Sequence, residues 1–516
     1  MTESNRPPDA DPGERARGRD ARTSSEDDTR DLARGAGVNY LGSVARILPR
    51  VAFLVLAGRL YGEEGFGAYT FGVTVVETAA ALALFGMKRS IFGFMSAAPS
   101  GEASDGEGVH RPVATGIALA ATIGLALSLT IGFAGGALAR SFGLPSAVEP
   151  LRILTLAVPL IVASDILLVA IRFTRQMRWE VYARSLIEPI TLTLALVVLH
   201  AAGVGESGLA WAYVLSLLAA ALSSVVFFTR VFSLPTCLRV RLRWSEIREL
   251  ATFSGPTAGY ELGLMLADKI DIFLVSWFGS VGTVGIYGMA RQFATVTKKI
   301  RGGFDRILPP VFSESLATGE MSRADRQLTM VVRWILTAEL LVALIFVVYG
   351  ETLLGSIEAS FAAGAGVVVI LMLADAIHGS LGLGELPFVY LRPWPNVAFG
   401  LALLALTGGL GVWWIPALGA EGAALSVLAS VTLVNGVRVF ASRRWLGMAV
   451  ADLTLLKPAA AAAVTALVIL GINRFVDPAP VLELLLGLPL LLALFGGVLH
   501  LLGLEPEDRA QLARIT

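Results

Sequence analysis

Leu60-Tyr61-Gly62-Glu63-Glu64-Gly65-Phe66-Gly67-Ala68-Tyr69 joins two long apolar stretches, and Phe278-Gly279-Ser280-Val281-Gly282-Thr283-Val284-Gly285-Ile286-Tyr287 joins two others. Both turns place Gly-x-Tyr after an aromatic-Gly pair, and Gly67 and Gly285 stand 218 residues apart. A second pair of turns returns at nearly the same offset. Gly205-Glu206-Ser207-Gly208-Leu209-Ala210 and Gly419-Ala420-Glu421-Gly422-Ala423-Ala424 both read Gly-x-x-Gly-x-Ala, 214 residues apart. Two agreeing offsets point to an internal duplication.

The stretches that these turns connect are membrane-like. Of 516 residues, 55% are hydrophobic and 16% charged, against about 25% charged in an ordinary globular chain. A helix needs roughly 20 apolar residues to cross the hydrocarbon core. Fourteen segments are candidates, some well marked and some compromised: 37–58, 66–87, 113–139, 151–171, 181–201, 209–229, 251–278, 284–306, 329–349, 361–390, 395–415, 419–437, 458–473 and 481–503. The eighth is the weakest, because Arg291, Lys298, Lys299 and Arg301 interrupt it. It is expected to be short, with an amphipathic extension.

With both termini on the cytoplasmic side, the inside loops carry 22 basic residues, from Lys88 to Lys457, and the outside loops carry Arg59, Arg140 and Arg474. That asymmetry follows the positive-inside rule and supports an even helix count. The outside loops are short, leaving no room for an extracytoplasmic domain.

The expected fold is therefore an all-α integral membrane protein of about 14 transmembrane helices. Two six-helix lobes are related by a parallel repeat, with two C-terminal helices added. The expected division is a disordered cytoplasmic tail at 1–35, an N-lobe at 36–229, a basic cytoplasmic linker at 230–249, a C-lobe at 250–440, helices 13 and 14 at 457–504, and a cytoplasmic tail at 505–516. The N-terminal tail mixes acids and arginines and lacks the apolar core of a signal peptide. The formal net charge is zero, which gives no footprint for nucleic acid. The one cysteine, Cys237, excludes an intrachain disulfide and is expected as an inert loop thiol.

Ionisable groups within membrane helices usually face a cavity or a partner helix. Helix 1 carries Asn39, Ser43, Arg46 and Arg50 on one face, with Pro49 expected to kink it. Arg46 lies roughly 13 Å from the helix end, too deep for easy snorkelling. The two arginines could clamp a phosphate, or pair with acids such as Glu77 or Glu188. Helix 7, which opens the second repeat as helix 1 opens the first, carries Glu261, Asp268, Lys269 and Asp271. Asp268 and Lys269 point about 100° apart and need separate partners. Helix 10 carries Asp375, His378 and Glu385 in one stripe, candidates for proton or cation binding or for structural hydrogen bonds. Arg291 and Asp165 are further cavity candidates.

The sequence has no phosphate-binding Gly-x-x-x-x-Gly-Lys-Ser/Thr loop, no His-Glu-x-x-His and no Cys/His cluster, so neither a metal nor a cofactor is expected. Gly203-Val204-Gly205-Glu206-Ser207-Gly208 fits Gly-x-Gly-x-x-Gly, but it sits in a turn between membrane helices rather than after a strand.

Several of these stretches resemble one family. Ala57-Gly58-Arg59 running into the first turn, Leu84-Phe85-Gly86-Met87-Lys88-Arg89, Lys269-Ile270-Asp271-Ile272-Phe273-Leu274-Val275-Ser276-Trp277-Phe278-Gly279 and the Gly-x-x-Gly-x-Ala turns are similar to polysaccharide flippases. These form the polysaccharide transporter branch of the multidrug/oligosaccharidyl-lipid/polysaccharide exporter superfamily, and the resemblance covers about residues 36–450. It implies two lobes in a V around a cationic cavity, working by alternating access in a bacterial inner membrane, without covalent chemistry. The implied cargo is a polyprenyl-pyrophosphate-linked oligosaccharide destined for O-antigen, exopolysaccharide or capsule. On that reading Arg46, Arg50, Arg291 and Lys269 hold the substrate. Asp268, Asp271, Glu261, Asp375 and His378 are candidates for coupling to H+ or Na+. The heavy acid content of helix 7 departs from a purely cationic cavity. Two other functions compete: a cation-coupled multidrug antiporter of the same superfamily, and a membrane polysaccharide polymerase or ligase, which would need a large outside loop.

Overall fold

The computed structural model describes the backbone of residues 12–97, 110–174, 176–305, 307–475, 480–503 and 505. Side chains are described from Leu48 onward within those ranges, except residues 97, 238, 260 and 480–484. Every regular element among the described residues is helical.

The first helix, α1 (Pro12–Leu84), is two helices joined at a break. Gly62 adopts φ 63° and ψ −172°, a left-handed conformation that costs glycine little and lets the chain reverse. Its backbone is helical from Pro12, where the mixed-charge composition had suggested a disordered tail. A short amphipathic helix, α2 (Met87–Ala97), follows. The rest of the first repeat is α3 (His110–Ser141), α4 (Val148–Leu154) running into α5 (Ala157–Phe173), α6 (Arg178–Tyr182) leading through a π turn into α7 (Glu188–Ala201), and α8 (Gly208–Thr229). A short helix α9 (Leu234–Arg239) carries Cys237, which is buried in a helix and not in a loop as expected.

The second repeat starts with α10 (Trp244–Phe278) and α11 (Val281–Phe304), continues through α12 (Leu308–Ala317), α13 (Met321–Gly355), α14 (Ala365–Leu381) and α15 (Glu385–Leu391), and ends in α16 (Trp394–Ala441). α16 is again two helices, broken at Gly419 (φ 59°, ψ −134°). α17 (Leu456–Asn473) and α18 (Pro480–Leu501) complete the chain.

Among the described residues, nine helical stretches, several of them joining consecutive elements, are apolar and long enough to cross a membrane. The breaks in α1 and α16 each add a crossing. α10 and α11 are long enough but less apolar, and the described part of α18 is a shorter apolar helix. The outcome is the expected multi-pass fold of about 14 helices, grouped as six, six and two. The eighth crossing is not short: α11 spans 24 residues, and the charges that made it look weak are met by neighbouring helices. The short helices α2, α9 and α12 had no counterpart in the apolar segments.

Apolar side chains point outward as well as inward, as lipid requires. Phe133 is 87% exposed and Leu467 73%, values that would create an aggregating patch in water. Buried hydroxyls satisfy themselves within their own helices: Thr74 donates to the Thr70 carbonyl at 2.8 Å and Ser224 to Ala220 at 2.7 Å. α17 and α18 pack on the outside of α13 through Tyr349, Ala461, Ile469, Leu491 and Phe495.

The two repeats meet where their matching glycines face each other. A Cβ placed on Gly67 would lie 2.0 Å from the Val281 carbonyl oxygen, and one on Gly285 would lie 1.9 Å from that of Glu63. Backbone therefore touches backbone between α1 and α11, the closeness that small residues permit in membrane interfaces. Because each glycine is the repeat equivalent of the other, this contact marks the pseudo-twofold axis. It seals the end of the bundle that carries the Gly62 turn. At the other end Arg111–Glu246 (2.8 Å) and Arg89–Glu261 (3.3 Å) join α3 and α2 to α10.

Candidate functional site

Between those two ends, the lobes are bridged by two polar contacts that the repeat relates. Arg50, on α1 before the break, donates to Gln292 Oε1 on α11 at 2.5 Å. Lys269, on α10, donates to Glu77 Oε2 on α1 after the break at 2.9 Å. Arg50 and Lys269 are 219 residues apart, within one residue of the repeat offset. Each lobe thus sends one basic side chain from its first helix to the second helix of the other lobe. The sequence left open whether Arg50 clamps a phosphate or pairs with acids such as Glu77 or Glu188, and among the described residues neither acid is its partner. Glu77 holds Lys269 and accepts from the Tyr213 hydroxyl at 3.3 Å, while Glu188 holds Arg184 at 2.9 Å.

Arg50 opens into a cavity of about 420 Å³ on the N-lobe side, lined among others by Tyr69, Glu77, Arg184, Glu188, Gln292 and Lys299. Its wall is shaped by the π turn Ala183–Ile187, which precedes Pro189. Proline supplies no N–H to the helical ladder, and π turns are frequent at functional sites. The turn carries Arg184, which pairs with Asp165 and Glu188 and donates to Ser164 Oγ at 2.8 Å. Lys88 adds a second cation on Asp165 at 2.6 Å. Across the cavity α1 passes through Pro49 with its backbone still helical, and the Pro49 carbonyl accepts from Thr193 at 3.2 Å.

The charges around this cavity do not cancel. Both acids already hold a cation, whereas Arg50 has only the neutral amide of Gln292 and no carboxylate among the described residues. A guanidinium in that setting keeps its charge and donors available to an anion.

A second cavity, of about 760 Å³, lies within the other lobe. Asp268, Asp271, Arg291, Lys298, Asp375 and His378 line it, with Glu385 and Arg438 further along. Here the charges are matched. Asp271 is buried, 2% exposed, and takes both the Arg291 guanidinium and the Tyr287 hydroxyl, the latter at 2.5 Å. Arg291 and Lys298 each reach Asp268 at 3.1 Å. Asp375 lies 3.8 Å from Lys298 and accepts from Thr297 at 3.3 Å. Arg301 binds Glu385 at 2.5 Å and donates to the His378 carbonyl at 3.0 Å.

The sequence-derived candidates thus separate. Arg50 lines the first cavity and Lys269 bridges the lobes beside it. Arg291, Asp268, Asp271, Asp375 and His378 line the second cavity, with Arg291 engaged by two acids. Glu261 faces Arg89 at the junction of α2 and α10. Arg46 lies outside the residues whose side chains are described. Arg184 and Lys299 were not singled out by sequence reasoning. Arg184 sits in an apolar run and was detectable as an intramembrane charge, but the π turn that aims it leaves no mark in the hydropathy.

Residues 55–357 match the polysaccharide biosynthesis protein family, and the chain belongs to that family. No curated protein matches the sequence. Among solved structures, "Lipid II flippase MurJ, inward closed conformation" superposes with a TM-score of 0.70 at 14% identity, over 90% of this chain and 97% of that one. An inward-facing multidrug resistance MATE family transporter of the MOP superfamily gives 0.62 at 16% identity, over 78% and 94%. A MATE structure in the bent conformation gives 0.53 at 14%, over 85% and 97%. At such identities these likenesses speak for the fold: a MurJ/MATE-like bundle.

Proposed function

We propose that this member of the polysaccharide biosynthesis family is a flippase for polyprenyl-pyrophosphate-linked oligosaccharides. It works by alternating access in a bacterial inner membrane, with both termini cytoplasmic. The observation that carries the proposal is Arg50, a guanidinium at the junction of the lobes whose one partner among the described residues is an amide. A pyrophosphate is a strong acceptor with several oxygens, and arginine meets it with two parallel donors. Arg46, one turn earlier on the same helix, would extend the clamp. Arg184 and Lys299 supply further positive charge to the same walls. The polyprenyl tail stays in lipid while the glycan, which cannot cross hydrocarbon, occupies the cavity.

The second cavity supports this cargo over a cationic drug, because each acid named in it lies within ion-pair distance of a basic side chain. No covalent step is invoked. Substitution of Arg50 by Ala or Gln tests the proposal in liposomes carrying a fluorescent lipid-linked oligosaccharide. Loss of flipping with retained folding supports it, and unchanged flipping removes Arg50 from the site.

A further inference from the structure

Glu339 is an isolated acid of the second lobe. It lies on α13 with no solvent exposure, and neither carboxyl oxygen has a hydrogen-bond partner among the described residues. An ionised carboxyl in that position would be far costlier to bury than the neutral acid. It has nonetheless been given a seat. The carboxyl presses on the backbone of α14 at Gly379, where an added Cβ would fall 2.4 Å from both of its oxygens. A larger residue there would push the carboxyl out of this position.

The seat lies one helical turn from a residue that lines the second cavity. Asp375, one turn before Gly379 on α14 and about 6 Å along the helix, lines that cavity and accepts from the buried Thr297 hydroxyl. The charges whose field reaches Glu339 are Asp375 on α14, Arg301 on α11 and Asp305 just past the end of α11. His378, also on α14, lies 3.5 Å from Asn435. Of the other helices packed on α13, α12 carries Glu314, α17 carries Lys457 at its start, and α18 carries Glu483 and His500 near its two ends.

We propose that Glu339 is a proton-binding site, occupied in this conformation and emptied toward the second cavity when α14 moves off α13. The acid O–H of Glu339 breaks and the proton passes to the Asp375 carboxylate or to water beside it. The carboxylate left behind cannot remain in its apolar seat, so proton release and separation of the two helices are one event. The use of that event in transport rests on the flippase reading, whereas the site itself does not.

The test uses the full chain in lipid nanodiscs and needs no cargo. Infrared difference spectra across a pH titration should contain a protonated-carboxyl band at neutral pH that disappears in E339Q. A spectrum identical in E339Q and the parent overturns the site. E339Q is isosteric and neutral and should fold; E339D, one methylene shorter, should keep a shifted band and guards against an E339Q that does not fold. In proteoliposomes, the dependence of flipping on a pH gradient should be lost in E339Q. A parent indifferent to the gradient, or an E339Q that responds as the parent does, overturns the coupling. If the band is present but no lipid-linked oligosaccharide moves, the flippase reading fails and the proton site stands.

Discussion

Adding one methyl group at Gly67 should force the sealed end of the bundle open. Its Cβ would stand 2.0 Å from the Val281 carbonyl oxygen, a backbone atom that no side-chain rotation can move aside. Ordinary van der Waals contact begins at 3.4 Å, so α1 and α11 must part by roughly 1 Å or more at a close-packed crossing. Overpacking of this kind costs about 1–3 kcal/mol, borne only by conformations that keep the seal. The balance between sealed and parted states should therefore shift by roughly 5- to 150-fold. The assay is a spin-label distance between cysteines placed at Glu64 and Ser280, both exposed beside the seal, on a Cys237→Ser background. Gly67→Ala should move the distribution to longer distances in lipid nanodiscs, and Gly285→Ala should do the same. The double substitution should add less than the sum of the two, because both methyls fill one contact. Gly263→Ala, at a second-cavity glycine with nothing within 4 Å of an added Cβ, should change nothing. An unchanged distribution in Gly67→Ala, or an equal shift in Gly263→Ala, would refute the assignment of this contact as the seal.

Other perturbations have separate readouts. Arg50→Gln should weaken binding of polyprenyl pyrophosphate about 10- to 100-fold, the worth of a hydrogen bond to a charged group. Its thermal stability should stay near the parent's, since Arg50 is exposed to the cavity and has a neutral partner. Native mass spectrometry gives the first number and a melting curve the second. Arg291→Ala should destabilise the protein by about 3–5 kcal/mol, because it strips the buried Asp271 of its cation; Asp271→Asn in the same chain should recover much of the loss in a denaturation series. Burial pushes the Cys237 thiol up to about 11. The nucleophilic thiolate is therefore scarce at neutral pH and accumulates only as pH rises toward that value. Maleimide labelling should be slow at pH 7 to 8, and rapid labelling there would contradict its burial.

The outline of this fold was legible because lipid imposes a length on every crossing. The turns at Gly62 and Gly419 were visible as glycine clusters, and both proved to be sharp reversals inside otherwise continuous helices. What hydropathy could not show was pairing. Arg291, Lys298 and Arg301 made α11 look too charged to span, yet each is answered by an acid on α10, α14 or α15. Those partners lie tens of residues away, beyond any local pattern. The same holds for Arg50, whose helix face was evident but whose partner, Gln292, lies 242 residues on. Glu339 was readable only as a lone acid in an apolar run. Its seat against Gly379 depends on the packing of two helices, which periodicity does not encode.

The central claim is that this chain carries lipid-linked oligosaccharide between leaflets. The most direct measurement reconstitutes the purified protein in liposomes with a fluorescent polyprenyl-pyrophosphate oligosaccharide and follows its protection from a membrane-impermeant quencher. The account predicts that label moves between leaflets without covalent change, and that Arg50→Gln stops it. Label that stays in its leaflet while the protein is folded and binds the lipid, or that moves equally well with Arg50→Gln, would contradict it.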